Sequence, residues 1–311
     1  MNLNDYLISR RTFVGTLAAA LTAVWLAPGK LYAADHTLIR KTIPSTGESL
    51  PAIGLGSSRT LDIGSDQAAL ESLVEVMQAF FANGGQLIDS SPMYGSAEQV
   101  IGELLQRTGP HDKLFAATKV WTDGEQDGIR QMQESLRKWG LDRFDLMQIH
   151  NLRDWQVHLR TLRDWKAAGK IRYIGITTSH GRSHEELETI LRNEPFDFVQ
   201  FSYNIEDRSA EERLLPLATE RGIAVLVNRP FQRGSLFSKV KGQTLPDWAA
   251  EIDCSSWGQF FLKFIVAHPA VTCVIPATSK VHHLQDNMAA GFGRIPDAAT
   301  RKRMIDFFAA L

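Results

Sequence analysis

The sequence predicts an α/β chain folded as a (β/α)₈ (TIM) barrel behind an N-terminal β-hairpin. Three observations carry that expectation. From Pro51 onward, eight short apolar runs alternate with amphipathic stretches of helical period. The runs are mostly continuous rather than alternating, as parallel strands buried on both faces require. Eight βα units in about 240 residues also match the ~250 typical of such a barrel. The competing arrangement, a doubly wound open sheet, usually carries a G-x-G-x-x-G turn after its first strand. Here Gly54-Leu55-Gly56 lacks a third glycine and a helix directly behind it.

The elements follow in order. Residues 37–43 and 48–52, around Thr46-Gly47, read as a hairpin that would plug the barrel floor. Strands are expected at 52–57, 86–90, 114–120, 144–150, 172–177, 196–202, 223–228 and 271–276. Between the first two, Leu70, Leu73, Val74, Met77 and Phe81 recur at helical spacing, and Gly84-Gly85 supplies the stop. Ser96 and Gln99 form a capping-box pattern opening a helix over 100–105. Ile129, Met132, Leu136 and Trp139 mark the next helix, closed by Gly140. A terminal helix over 298–310 carries Met304, Phe307 and Phe308 on its apolar side.

Composition narrows the function classes. The 311 residues are 44% hydrophobic and 22% charged, an ordinary globular balance that excludes disorder and fibrous repeats. Lys+Arg (34) and Asp+Glu (35) nearly cancel, so no positive field exists to hold a nucleic acid. Two cysteines, Cys254 and Cys273, are too few for a disulfide framework, and no metal site is expected. Cys273 sits in an apolar run and reads as a small buried hydrophobe.

Residues 1–34 read as an address. Ser9-Arg10-Arg11-Thr12-Phe13 precedes an uncharged run over 14–27 that is rich in Ala, Gly and Thr. That run falls short of the roughly 20 residues a membrane span needs. Paired arginines before a mild apolar stretch resemble a twin-arginine (Tat) export signal, and Tyr32-Ala33-Ala34 offers small residues for cleavage. An uncleaved anchor is the lesser alternative. The expected location is periplasmic or otherwise exported, with the twin-arginine translocase as partner. The barrel would then occupy residues 35–311 at a net charge of −3.

Chemistry in such a barrel belongs at the C-terminal strand ends. The second strand runs into Asp89-Ser90-Ser91-Pro92-Met93-Tyr94, the third into Lys119-Val120-Trp121, the fourth into His150-Asn151. An acid, a phenol, an amine and an imidazole therefore share one rim. Carbonyl reduction would use all four. Hydride addition leaves charge on oxygen, and Tyr94 can donate the proton that oxygen needs. Lys119 would stabilise the phenolate and lower the phenol pKa, Asp89 would hold Lys119 charged and aimed, and His150 could orient the carbonyl.

The segments Ile88-Asp89-Ser90-Ser91-Pro92-Met93-Tyr94-Gly95, Thr118-Lys119-Val120 and Gln148-Ile149-His150-Asn151 resemble signature segments of the aldo-keto reductase family. So do Gly169-Lys170-Ile171-Arg172-Tyr173-Ile174-Gly175-Ile176, the Gln200 strand and the Ile275-Pro276 strand. The resemblance covers about residues 37–290. It implies a barrel that binds a nicotinamide cofactor, usually NADPH with NADH as the alternative, and the tetrad Asp89, Tyr94, Lys119 and His150 in the roles above. It places Gln200 on the nicotinamide carboxamide, with Gly56, Ser57, Thr177 and Thr178 on the same wall. Where the family has Ser-Asn, this chain has Thr177-Thr178; where an aromatic ring usually stacks on the nicotinamide, it has Asn228.

By the same resemblance, Arg229, Phe231 and Arg233 border the pyrophosphate, and Thr278, Ser279 and Lys280 form a phosphate-friendly loop at a helix start. His283, Asp286 and Asn287 fall at the adenosine end, and Ala277 replaces a lysine common among relatives, which leaves only a lean toward NADPH. Met93, Trp121, Trp155, Tyr203 and Phe231 are candidates for pocket walls or, equally, for core or rim packing. The implied partner is a small carbonyl substrate; an exported reductase would also need a redox partner the sequence does not reveal. The alternative from another class is a nucleotide-sensing barrel of little turnover, as in potassium-channel β subunits. A sugar hydrolase would need two carboxylates across the rim, and only Asp89 stands there.

Overall fold

The computed structural model describes residues 37–109 and 112–311. The export signal expected over residues 1–34 lies outside the described residues. The chain begins with the expected hairpin, β1 (Arg40–Thr42) against β2 (Ser49–Pro51), antiparallel, with Thr42 opposite Ser49. Eight parallel strands follow: β3 (Leu55–Gly56), β4 (Leu87–Asp89), β5 (Phe115–Val120), β6 (Phe144–His150), β7 (Ile171–Thr177), β8 (Phe198–Ser202), β9 (Ala224–Asn228) and β10 (Val271–Val274). They hydrogen-bond in chain order from β3 to β10. Parallel bridges Ile53↔Val274 and Gly56↔Ala277 bring the first strand back to the last and close the barrel.

That closure explains the glycines. A Cβ on Gly54 would lie 2.9 Å from the Leu87 carbonyl oxygen, and one on Gly56 2.8 Å from that of Ile275. Gly54-Leu55-Gly56 is a seam where backbones meet, with the amides of both glycines bonded across it to Val274 and Pro276 at 2.9 Å.

The helices form the outer ring: α1 (Gln67–Ala82), α2 (Ala97–Thr108), α3 (Glu125–Trp139), α4 (Trp155–Ala167), α5 (His184–Asn193), α6 (Leu214–Arg221), α7 (Ser235–Lys239), α8 (Trp257–Val266), α9 (Val281–Ala289) and α10 (Ala298–Ala309). Helix α1 buries Leu70, Leu73, Val76, Met77 and Phe80, while Val74 and Phe81, expected on that face, are its half-buried flanks. The capping box at Ser96 does not form. Ser96 has helical dihedrals, and its hydroxyl donates to Asp62 and accepts from the Gly64 amide, tying the helix start to the β3–α1 loop. Gly140 closes α3 in the left-handed conformation, as expected.

Two cores result from the period-two alternation of strand side chains. Outward residues pack against the helices. Inward ones form a separate cluster that includes Leu87, Phe115, Leu146, Tyr173 and Phe198, with Ile43 and Leu50 of the hairpin beneath them. The Tyr173 hydroxyl meets Thr46 Oγ1 at 2.8 Å and donates to Glu48 at 2.7 Å, which fixes the hairpin as the floor. Above that floor the same inward rows turn polar.

Candidate active site

The polar layer begins one or two inward steps above the apolar one. Phe115 and Ala117 in β5 are followed by Lys119; Leu87 in β4 by Asp89; Leu146 in β6 by Gln148 and His150; Phe198 in β8 by Gln200. Strand alternation therefore delivers these side chains to one place. Lys119 is fully buried and its Nζ lies 2.5 Å from Asp89 Oδ2, with a second bond of 2.7 Å to the Ser90 carbonyl. Tyr94 closes the group from the loop after β4, with Lys119 Nζ 5.2 Å from its ring centroid.

Electrostatics here differ in balance from the sequence expectation. Burial pushes the Tyr94 phenol above its ordinary pKa, with the Lys119 charge as the largest influence pulling it back. The net shift is upward, not downward. For Lys119 itself burial opposes the charge, but Asp89 and Tyr94 prevail and hold the ammonium above its usual range. His150 is pushed down to about 2, first by burial and then by the Lys119 charge. It stands neutral, with Nδ1 2.8 Å from the Ser91 hydroxyl and its ring edge-on to Tyr94 at 5.7 Å. Because Met93 N–H already donates to Ser91 at 3.2 Å, the Ser91 hydroxyl hydrogen is free to donate to Nδ1, which leaves the Nε2–H tautomer as a donor to a carbonyl oxygen.

A cavity of about 970 Å³ opens above this group. Asp89, Tyr94 and His150 line it, as do Gly56, Ser57, Thr177, Thr178, Gln200 and Asn228. Farther along stand Arg229, Phe231 and Arg233, then Thr278, His283, Asp286 and Asn287. Lys119 lies behind the wall rather than on it, and Ser279 and Lys280 are not part of the lining. Among the candidate wall residues, Met93 and Phe231 line the cavity. Trp121 stands back with its ring 6.5 Å from that of His150, and Trp155 packs on the outer core. Tyr203 belongs to the core. It follows Ser202 on the outward side of its strand, is fully buried against Phe264 of α8, and donates to Glu211 at 2.5 Å.

Sequence reasoning passed over several lining residues, including Arg59, Asn151, His180, Arg182 and the Ser256-Trp257-Gly258 segment at the start of α8. They sit on loops or, for Trp257 and Gly258, in the first turn of α8 facing the cavity, where no periodicity marks them. Ser256 and Gln259 engage both carboxylate oxygens of Asp286, at 2.7 and 2.8 Å.

The wall fits a dinucleotide by what it leaves unpaired. Thr178 Oγ1 and the Nε and Nη1 of Arg229 are buried without a hydrogen-bond partner. Such atoms cost free energy unless a ligand completes them. A carboxamide would meet the first and a pyrophosphate the others. Arg229 is therefore no solvated loop charge; burial and neighbouring Arg233 hold its pKa below the ordinary value.

A model of the Aldo/keto reductase family matches residues 52–301. This chain belongs to the aldo/keto reductase family. It is 30% identical over 258 residues to "Methylglyoxal reductase YeaE" of Escherichia coli (strain K12), a match spanning 80% of this chain and 89% of that one. It is 26% identical over 240 residues to an "NADH-specific methylglyoxal reductase" of the same organism, covering 67% and 70%. Among solved structures, an aldo/keto reductase of Klebsiella pneumoniae in complex with NADP and acetate superposes at a TM-score of 0.69, with 23% identity and 84% and 93% coverage. That likeness supports the fold of this reductase.

Proposed function

We infer that this aldo/keto reductase transfers a hydride from a nicotinamide cofactor to an aldehyde or ketone, with Tyr94 as the proton donor. One observation carries the reading: a phenol on the cavity wall is backed by a fully buried Lys119–Asp89 ion pair. A buried pair is costly to maintain, and its use here is to set the acidity of the phenol beside it. When bound, the reduced nicotinamide supplies the hydride. His150, neutral and presenting Nε2–H, orients the carbonyl oxygen, and Tyr94 passes its proton to that oxygen as Lys119 stabilises the phenolate left behind. Thr178 and Gln200 would hold the carboxamide, and Arg229 and Arg233 the pyrophosphate. Methylglyoxal, named for two relatives, is a small dicarbonyl and a natural first substrate to try.

The test is Tyr94→Phe, assayed by NADPH oxidation with aldehydes, ketones and quinones. Turnover is expected to fall by about 10²–10⁴ with cofactor affinity kept, since only the proton donor is removed. A wild-type rate in that variant would overturn the assignment. Cofactor binding without turnover in the parent protein would favour the sensing alternative.

The address extends the reading. Arg10-Arg11 and the uncharged run behind them support export by the twin-arginine translocase. That route carries folded proteins, and a bound nucleotide stabilises only the folded form. Outside the cytoplasm the cofactor would need re-reduction in place, hence a redox partner. Arg10→Lys with Arg11→Lys is expected to leave a folded, nucleotide-binding protein in the cytoplasm. Cell fractionation decides: parent protein found wholly cytoplasmic and unprocessed near Ala33 or Ala34 would refute export and leave the barrel untouched.

A further inference from the structure

Gln148 takes no part in the chemistry above. It is fully buried in β6, two residues before His150, and does not reach the cavity. Its surroundings are nevertheless built around it. It pairs in register with Gly175 of β7, where a Cβ would come within 2.7 Å of Gln148 Cγ. The glycine leaves room for the glutamine stem.

We propose that Gln148 is a positioning residue that fixes the direction of the Gln200 amide, so that the cavity wall presents an acceptor and selects a ligand carrying a carboxamide N–H. This rests on the nicotinamide reading of the cavity and names what that reading leaves open. The argument starts at Asp89, whose carboxylate only accepts. Its Oδ2 is taken by Lys119. Its Oδ1 receives Gln148 Nε2 at 2.8 Å and Gln200 Nε2 at 3.1 Å. Gln148 Oε1 then accepts the other Gln200 N–H at 3.0 Å. An amide nitrogen has two hydrogens, and both of those on Gln200 are now spent inside the barrel.

Turning either amide over would set oxygen against oxygen, so the directions are locked by the carboxylate. What remains of Gln200 is its Oε1, which accepts from Asn228 Nδ2 at 3.2 Å and keeps one lone pair. Beside it stands the unpartnered Thr178 hydroxyl, a donor. A primary carboxamide matches the two: its N–H₂ to Gln200 and its C=O to Thr178. A ketone matches only the second.

The probe is reduced 3-acetylpyridine adenine dinucleotide phosphate, which carries a methyl ketone in place of the carboxamide. Fluorescence titration of the parent protein should show it binding about tenfold more weakly than NADPH, the usual scale for a lost hydrogen bond that leaves a buried group unpaired. Gln148→Met keeps the stem length but leaves the Gln200 nitrogen held by Asp89 alone, so that the amide can turn and offer its second N–H to a ketone, and should bring the ratio to about threefold or less. A role in folding alone would weaken both ligands together and leave the ratio unchanged. Gly175→Ala, which displaces the Gln148 stem, should narrow the ratio in the same sense and serves where Gln148→Met fails to fold. A parent ratio near one, or an unchanged ratio in a folded variant, would overturn the proposal. A parent protein that binds neither nucleotide would instead refute the nicotinamide reading beneath it.

Discussion

Replacing Lys119 by Met tests stability and chemistry at a single atom. The Asp89 carboxylate, 2% exposed, would lose the ammonium 2.5 Å away and keep only the Gln148 and Gln200 amide donors. Breaking a buried pair on one side costs about 3–5 kcal/mol, which for a domain of this size is a fall in Tm of roughly 10 °C. The sign with pH follows from the direction of the shift. Lys119 is held above its ordinary pKa of 10.5, so its contribution is complete below that value and is lost only as pH rises through the raised one. The deficit should therefore be constant from about pH 6 to 9. Activity should fall by roughly 10²–10⁴ across the same range, because the buried phenol loses the main influence opposing its upward shift. Adding Asp89→Asn to Lys119→Met removes the stranded charge while Oδ1 still accepts both amides, and should recover most of the stability and none of the activity. Calorimetry and steady-state kinetics on the two variants decide. Full activity in Lys119→Met, or a double variant less stable than the single, would refute the account of the pair.

Three further outcomes are expected. His150 is held at about 2 when folded against 6.5 unfolded, so below pH 6.5 the unfolded chain binds the extra proton and stability falls by about 1.4 kcal/mol per pH unit; urea unfolding at pH 7 and 5 should show a shallower fall in His150→Gln. Thr178→Val removes a buried hydroxyl with no partner, and should raise Tm slightly while weakening NADPH about tenfold in fluorescence titration; an unchanged affinity would remove Thr178 from the cofactor wall. NADPH should bind ahead of NADH by a modest margin, since Ala277 and a His283 held below its ordinary pKa by burial, with its neighbours His282 and Lys280 adding to that, offer little positive charge to a 2′-phosphate; equal affinities, or NADH ahead, would reverse the preference.

What was legible in the sequence follows a physical line. Parallel strands buried on both faces are continuous apolar runs, so β5 to β9 stand within two residues of their expected limits. The convergence of Asp89, Lys119 and His150 was legible because polar side chains at neighbouring strand ends share one rim, and these three stand there. Arg182 on a loop and Trp257 at the first position of α8 carry no periodic mark, and their place on the cavity depends on how the β7–α5 loop and the α8 start fold over the rim. Of the two places the sequence leaves open for Tyr203, strand alternation selects the core rather than the cavity wall. Lys119 pulls the Tyr94 pKa down as expected, but the net shift is upward because burial outweighs it, and depth of burial is not visible in a sequence.

The same reasoning explains why Asp89 organises more of the site than the phenol it serves. A carboxylate that accepts at both oxygens cannot reverse its hydrogen-bonding sense, whereas the amides around it both donate and accept and must turn to suit it. Lys119 must be charged to satisfy Oδ2, and that charge helps keep His150 neutral. Gln148 and Gln200 must turn their nitrogens toward Oδ1, which leaves an oxygen for the cavity. Asn228 must then donate to that oxygen, and it accepts in turn from Ser202 at 2.7 Å. The chain of constraints runs from one side chain on β4 across five strands without a free choice. Changing Asp89 to Leu, which accepts nothing, would restore choices at each step, so the loss should appear as altered cofactor selection as well as lost rate.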